Sequence, residues 1–307
     1  MSKKVLTPEQ AEVKAIKKSY AATKRNSFIA VLLAIVLVAG LLVIGNTTAK
    51  KMNGNAGTAT DSTSSENKVV PGGSVEEAPI YDEEGNLVAG VDGDGNPPQE
   101  LSDNPAEWTK AQIVAFYRKA AQNSTGVKST QTMAMNNGMN VKLNNSALEF
   151  LIDLAEPIIK TVLKNNTLEF DGITGGYNSL VPSDVQSAKA YKEGDYTVIE
   201  MVMVEQTDDA YGDTFKGTVG HGISVVGNIA VVADQFPDWT INFKDAFVEL
   251  KYVNPVIKVR INQNGIIEKG TWSYVVNVKV QNLQIESVIV EDATTEIDYV
   301  IKTGGGF

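Results

Sequence analysis

One stretch near the N-terminus restricts what this chain can form more than any other feature. Residues 28–45 read FIAVLLAIVLVAGLLVIG, eighteen positions without a charged side chain. About 20 apolar residues in a helix cross the hydrocarbon core of a bilayer, whereas a helix in the core of a globular protein usually keeps one polar face. This stretch has no polar face, so the sequence predicts a single transmembrane helix over residues 27–45.

The charges before this helix predict its orientation. Of the 27 basic and 37 acidic residues in the chain, seven basic and two acidic ones precede position 27. Basic residues flanking a membrane helix favour the cytoplasmic side. Residues 1–26 are therefore predicted to be a cytoplasmic tail, and the rest of the chain, with a net charge of −15, to lie outside the cell. The alternative is a signal peptide cleaved near the small residues Thr47, Thr48 and Ala49.

Composition excludes several kinds of function. The chain has no cysteine and one histidine, so disulfides, thiolate catalysis, cysteine zinc sites and histidine-rich metal sites are ruled out. A cysteine-free domain outside the membrane fits a bacterial envelope of the Gram-positive type, which has no dedicated oxidising compartment. An acidic surface repels nucleic acid, so we expect no nucleic-acid partner.

Residues 46–104 are predicted to be a disordered linker. They are rich in Gly, Ser, Thr, Asn, Asp, Glu and Pro, a composition that cannot bury enough apolar surface to fold. Residues 79–95 leave room for a small hairpin. Asp92, Asp94 and Asn96 alternate like the first ligands of an EF-hand loop, but Pro97 stands where that loop needs glycine. We therefore predict no calcium site in the linker.

The folded domain is predicted to span residues 105–307 and to begin with a helix. Asn104, Pro105 and Glu107 have the spacing of a capped helix start. Apolar residues follow at the spacing of one helical face, namely Ile113, Phe116, Tyr117 and Ala120, and Gly126 ends the pattern. This face is expected to pack into the core.

A second helix is predicted over residues 147–164, with Ser146 as its N-cap and Pro157 inside it. It is apolar around more than half of its circumference, so it must be buried on most sides. It either packs with the sheet into an ordinary closed core or forms a hydrophobic pocket together with two aromatic residues of the sheet. The candidate ligand-contacting residues are Phe150, Leu151, Leu154, Ile158, Ile159, Val162, Trp272 and Tyr274.

Beyond residue 168 the spacing of apolar residues changes to the period of two that is typical of β-strands. Residues 247–252 and 257–262 both alternate between apolar and polar side chains, and Asn264-Gly265 is a strong hairpin signal. The sequence therefore predicts an α+β domain in which two helices pack on a curved antiparallel sheet of about six to nine strands.

No catalytic constellation is evident in the sequence. His221 lies between two glycines, which mark a bend in a β region more often than an active site. Asp208, Asp209 and Asp213 cluster in TDDAYGDT, where three acids either bind calcium, serve acid–base chemistry or form a solvated turn. We interpret them as a solvated turn and predict no catalytic residue, no metal and no cofactor.

These features predict a non-catalytic binding or structural module of a bacterial cell envelope, anchored in the membrane and facing outward. Its expected partner is an envelope protein or a wall polymer. The alternative is a carrier or binder of a lipid or another hydrophobic ligand, held between the sheet and residues 147–164. A third hypothesis is a hydrolase that uses carboxylates, with His221 as a helper.

Overall fold

A computed structural model describes residues 80–81, 87–89, 101–146, 149–165, 167–226 and 240–307. The predicted cytoplasmic tail, the predicted transmembrane helix and most of the predicted linker lie outside these residues. Within the described ranges, no helix is long and apolar enough to cross a membrane. Strands β1 (Ile80–Tyr81) and β2 (Leu87–Ala89) pair antiparallel, which confirms the small hairpin predicted in the linker.

The first helix begins later than the sequence pattern indicated. Asn104 caps a 3-10 turn over Pro105–Glu107, and Trp108 after it is extended, so this turn does not continue into a helix. Thr109 then forms a reciprocal capping box and starts helix α1 (Lys110–Asn123). The prediction of a helix from Asn104 was wrong because two capping sequences follow each other and the extended Trp108 separates them.

The described part of the domain is built on one sheet of ten strands, and all of its pairings are antiparallel. The strands are β3 (Lys128–Met135), β4 (Asn140–Leu143), β5 (Leu168–Asp171), β6 (Val185–Glu193), β7 (Tyr196–Met203), β8 (Gln206–Asp208), β9 (Ile241–Asn242), β10 (Phe247–Ile261), β11 (Ile267–Ile285) and β12 (Val288–Thr303). The main order is β5-β3-β12-β11-β10-β7-β6, and β4, β8 and β9 pair beside β12, β10 and β11.

The α+β class is therefore confirmed, whereas the predicted count of six to nine strands was too low. Strands β4, β8 and β9 contain four, three and two residues. Strands this short are too brief to show an alternating pattern in a sequence. The long strands at the centre were recognisable, and the hairpin predicted at Asn264-Gly265 joins β10 to β11, with Gly265 at φ 70°.

The apolar face of the sheet forms the core beneath the helices. Buried and less buried residues alternate along β10, β11 and β12. Trp272 of β11 is fully buried, and its Nε1 donates to the hydroxyl of Tyr117 in α1 at 2.8 Å. Helix α2 (Phe150–Asn165), which contains Pro157, lies against β3.

A bulge in β10 shapes the edge of the sheet. Asn254 has a φ of 52°, and the register with β11 shifts between Val253 and Val256. Pro255 lies in this bulge, where its missing N–H interrupts no regular ladder. On its other side β10 pairs with β8 before the bulge and with β7 after it. Because β8 is short, residues 247–249 of β10 extend beyond it.

Candidate functional site

An open cleft of about 650 Å³ lies at the sheet edge where β8 ends beside β10. Strand β8 pairs with residues 250–252, and among the described strands residues 247–249 pair only with β11. The cleft is lined by residues 205–209, 216–218 and 247–249, the second group leading into the short helix α3 (Gly217–Gly222). A ligand would therefore contact a strand edge on one side and a loop on the other.

The loop after β8 is held by its own aspartates. Asp208 Oδ1 accepts a hydrogen bond from the N–H of Ala210 at 2.9 Å, and Asp209 Oδ1 accepts one from the N–H of Tyr211 at 3.1 Å. Asp213 makes the same kind of bond with the residue two positions ahead. Ala210 adopts a φ of 61°. Such aspartate turns reverse the chain locally, which explains the concentration of acids in this segment.

Lys216 folds back onto the same loop. Its ammonium lies 2.7 Å from Asp208 Oδ1 and 3.4 Å from Asp209 Oδ1, and it also donates to the carbonyl of Tyr211. Burial opposes the charge on Lys216, but the hydrogen bond to Asp208 and the negative charges outweigh it, so the pKa of the Lys216 ammonium is raised. The loop therefore contains its own counter-ion.

Asp208 is buried, whereas its neighbour Asp209 is exposed. The Asp208 side chain keeps 1% of its accessible surface, and its Oδ2 has no hydrogen-bond partner in the described part of the chain. Burial raises the pKa of the Asp208 carboxyl, against the opposing effect of Lys216. A buried polar atom left without a partner costs about 1–3 kcal/mol. Asp208 Oδ2 is thus a buried acceptor without a donor, on a residue that lines the cleft.

Three further groups of the cleft are available to a ligand. Within the described residues, the carboxylate of Glu249 and the hydroxyl of Thr207, which both line the cleft, make no side-chain hydrogen bond or ion pair. Phe247 is 47% exposed, and its ring lies 5.9 Å from the ammonium of Lys279. The cleft therefore combines several acceptors with one exposed aromatic ring.

The side of the cleft next to α3 is fixed by Gln206. Its Nε2 donates to the carbonyl of Lys216 at 3.2 Å, and its Oε1 accepts from the N–H of Val219 at 2.9 Å. Gly217 has a φ of 70°, and a Cβ at this position would collide with the Gln206 side chain. These contacts hold the start of α3 against β8 and fix this side of the cleft.

The structure brings together only part of the predicted acid cluster. Asp208 and Asp209 line the cleft, whereas Asp213 does not. The interpretation as a solvated turn holds for Asp209 but is wrong for Asp208, because pairing of β8 with β10 places Asp208 opposite Leu250 and buries it. In the parts of the chain that are described, no group of three or more histidines or acids is arranged to hold a metal ion.

His221 lies outside the cleft lining. Its Nδ1 lies 2.8 Å from Asp184 Oδ2, and both belong to the packing between α3 and the 3-10 turn Pro182–Asp184. Ser224 Oγ is 3.1 Å from the hydroxyl of Tyr299 instead. No hydrogen bond joins His221 to Ser224 among the described contacts. The hypothesis of a hydrolase remains a prediction without a described catalytic set.

The candidate hydrophobic pocket is described only on its sheet side. The side chains of Phe150, Leu151, Leu154, Ile158, Ile159 and Val162 lie outside the described part of the structure. Trp272 is engaged by Tyr117, as given above. Tyr274 is buried, stacks on Tyr299 at 4.5 Å between ring centroids, and meets Tyr252 edge-on at 5.1 Å. The pocket and its lipid or other hydrophobic ligand therefore stay predictions.

Sequence reasoning missed Lys216, Glu249 and Phe247 as residues of a site. A signal for Phe247 exists in the sequence, because it falls on the same face of its strand as the charged Glu249 and Lys251. An aromatic residue in a charged stripe is often exposed for contact with a partner. The position of Lys216 depends on how the loop folds, and nothing in the spacing of residues reveals it.

The chain matches no protein-family model, no curated protein and no solved structure. Its function must therefore be inferred from the chemistry of the cleft and from the organisation of the chain.

Proposed function

We propose that this chain is a non-catalytic binding module of a bacterial envelope, anchored by residues 27–45 and carrying its folded domain outside the cell. We further propose that the cleft beside β8 binds a sugar unit of a wall polymer, one that offers hydroxyl or amino groups and carries no acid. The observation that supports this most strongly is the buried and unpaired Oδ2 of Asp208.

The unpaired oxygen defines the chemistry of the ligand. Because Asp208 Oδ2 is buried, a ligand reaches it only when the side chain turns toward the cleft. A hydroxyl or ammonium group that then donates to Oδ2 would satisfy an atom which now carries a desolvation cost. A carboxylate or phosphate on the ligand would instead be repelled by Asp208, Asp209 and Glu249. The favoured ligand is therefore rich in donors and is neutral or positively charged.

The aromatic ring at the rim supports a cyclic ligand. Phe247 presents its exposed ring beside Glu249, so an apolar ring face can pack on Phe247 while hydroxyls at the ring edge reach the carboxylates. Sugar rings have this division between apolar faces and polar edges. Small-molecule sites commonly combine an apolar surface with a few oriented polar groups in the same way.

The test is a calorimetric titration of the full-length chain, in a non-ionic detergent, with soluble oligomers of N-acetylglucosamine and of glucosamine. We expect at least one series to bind, and Asp208→Asn to weaken the binding about tenfold or more. Asparagine keeps the Oδ1 that contacts Ala210 and Lys216 but replaces Oδ2 by a donor.

The matched control is Asp213→Asn, in the same loop and with the same kind of local hydrogen bond, but outside the cleft lining. It should bind like the unmodified chain. Phe247→Ala should also lower the affinity for the oligomers, and it does so without changing the loop after β8. The proposal is contradicted if neither oligomer binds, or if the two asparagine variants bind with the same affinity.

A further inference from the structure

The solvent-facing side of the sheet has a basic end, which we define as Lys189, Lys258, Arg260, Lys269 and Lys302. These residues come from β6, β10, β11 and β12. Lys189, Lys258 and Lys302 belong to one cross-strand row, which also contains Glu200 of β7 and Thr271 of β11. Arg260 and Lys269 face each other in the next row. The basic end lies roughly 30 Å along β10 from the cleft.

Little of this positive charge is neutralised. Glu200 binds Lys189 at 2.6 Å and Lys258 at 2.8 Å, and these hydrogen bonds lower the pKa of Glu200 to about 2. Arg260, Lys269 and Lys302 form no ion pair with any residue in the described ranges. Two further acids stand in these rows, both on the edge strand β5. Glu169 belongs to the first row through Thr130, and Asp171 belongs to the second row, where it forms an ion pair with Lys128.

The excess of positive charge at the basic end contrasts with the chain as a whole, which is acidic and has a net charge of −10. Toward the other end of the sheet the next row is uncharged and consists of Val202, Val256, Ser273 and Val300. This row separates the basic end from Asp298 and the acids beyond it. Five cations on one end of one face, against a general excess of acids, indicate a surface kept positive for contact with an anion.

Aromatic rings hold several of these cations in place. The guanidinium of Arg260 lies 4.4 Å from the ring centroid of Tyr196, and its Nε is buried without a hydrogen-bond partner in the described structure. The ammonium groups of Lys258 and Lys269 lie 4.7 and 5.1 Å from the ring of Phe307. Cations packed on aromatic faces lose less freedom on binding an anion than mobile surface lysines do.

We propose that the basic end binds a linear polymer with a phosphate in each repeating unit. Neighbouring strands are about 4.8 Å apart, so the backbone positions of Lys189 and Lys302 each lie about 10 Å from that of Lys258, on opposite sides of it. A single phosphate contacts one of these positions, whereas a chain laid across the strands contacts all three and the second row as well. This surface is separate from the cleft and does not depend on its sugar ligand.

A polymer fits better than the lipid headgroups of the membrane that carries the chain. As a flexible coil, the linker predicted over residues 46–104 would span about 40–45 Å and would let the sheet reach well beyond the bilayer surface. Polymers that fill the space outside the membrane would then be within reach of this face.

The test is a binding titration of the full-length chain, in non-ionic detergent, with long-chain inorganic polyphosphate. We expect saturable binding that weakens roughly 20-fold between 50 and 200 mM salt, as contact with about three phosphates implies. The double variant Arg260→Gln with Lys269→Gln should lose at least tenfold in affinity. The matched control is Lys251→Gln with Lys279→Gln, which removes two charges from the same face of the same two strands.

The control pair should change the affinity less than threefold. If both double variants lose the same affinity for polyphosphate, binding depends on total charge and not on the basic end, which would overturn the proposed surface. If glycerol phosphate and polyphosphate bind with equal affinity per phosphate, the surface binds one phosphate group at a time. That result would overturn the proposal that its ligand is a polymer. Tighter binding of double-stranded DNA than of polyphosphate would also contradict the proposal, and circular dichroism of each variant checks that its fold is retained.

Discussion

Two carboxylates in this domain, Asp208 in the cleft and Glu200 at the basic end, both accept hydrogen bonds from lysine, yet their pKa values shift in opposite directions. Glu200 contacts two lysines and the hydroxyl of Tyr191, keeps 22% of its side-chain surface, and has its pKa lowered to about 2. Asp208 contacts one lysine, keeps 1%, and has its pKa raised because burial dominates.

The difference shows how one residue type serves two purposes. Around Glu200 the chain supplies enough donors for both carboxylate oxygens, so this network stabilises the fold and needs nothing else. Around Asp208 the chain supplies donors for Oδ1 only and leaves Oδ2 buried without one. A carboxylate that the fold buries but does not satisfy is a site at which a ligand can gain free energy.

The largest expected effect comes from removing the counter-ion of the buried carboxylate. Lys216→Met leaves Asp208 without its ion pair, and loss of one partner of a buried pair should lower the free energy of unfolding by about 2–4 kcal/mol at pH 7. Urea unfolding of the full-length chain, followed by tryptophan fluorescence, measures this loss.

The double variant Lys216→Met with Asp208→Asn also removes the unpaired negative charge of Asp208, so it should recover most of the stability. A loss below about 0.5 kcal/mol in the single variant would mean that Asp208 is not buried as an ion.

A smaller effect is expected at the satisfied carboxylate. Glu200→Gln should lower the free energy of unfolding by about 1–2 kcal/mol at pH 7, a value reduced for the partial exposure of Glu200. Because the pKa of Glu200 is lowered in the folded state, its contribution is full above the ordinary carboxyl pKa and is lost as the pH falls toward about 2.

Unfolding curves from pH 7 down to pH 2 should therefore show the unmodified chain and Glu200→Gln converging in acid. Glu169→Gln on the exposed edge strand β5 is the control and should stay within about 0.5 kcal/mol of the unmodified chain throughout. Parallel curves for Glu200→Gln would contradict the role assigned to its two lysines.

The smallest effect sharpens the contrast between the two acids. Asp208→Asn should leave the stability at pH 7 unchanged or raise it by up to about 1 kcal/mol, since a raised pKa means that the fold disfavours the charged form. For such a group the stability is highest in acid and falls as the pH rises through its folded-state pKa. The gain in Asp208→Asn should consequently disappear at low pH.

A loss above 1 kcal/mol in Asp208→Asn would show that pairing with Lys216, and not burial, dominates at this site. The same urea titration at pH 3 and pH 7 distinguishes the two cases.

The sequence predicted the parts of the fold that repeat a simple pattern over many residues. Strands β10 to β12 alternate clearly because their inward side chains are apolar, and the pattern revealed their strand character. Strand β3 did not reveal itself, although it has eight residues, because two of its buried positions are polar. Ser129 bonds to Thr303 and Gln131 to Tyr299, so these side chains are satisfied inside the core where hydropathy predicts none.

The site was predictable in composition and not in geometry. The aspartates around position 208 were noticed as a loop, but burial of Asp208 follows from a three-residue strand that pairs with residues far along the chain. The return of Lys216 to that loop depends on the turns made by Asp208 and Asp209. Contacts of this kind arise from tertiary structure, and a single sequence does not encode them in its spacing.

The fold leaves Asp208 Oδ2 buried without a hydrogen-bond donor from the described residues, and a carboxyl-carbon NMR titration of Asp208 in the full-length chain tests most directly whether a ligand supplies one. The titration is recorded with and without saturating N-acetylglucosamine or glucosamine oligomer. A ligand donor at Oδ2 should lower the raised pKa of Asp208, since hydrogen bonds to the charged form favour it. An Asp208 titration that is identical with and without either oligomer would contradict the account.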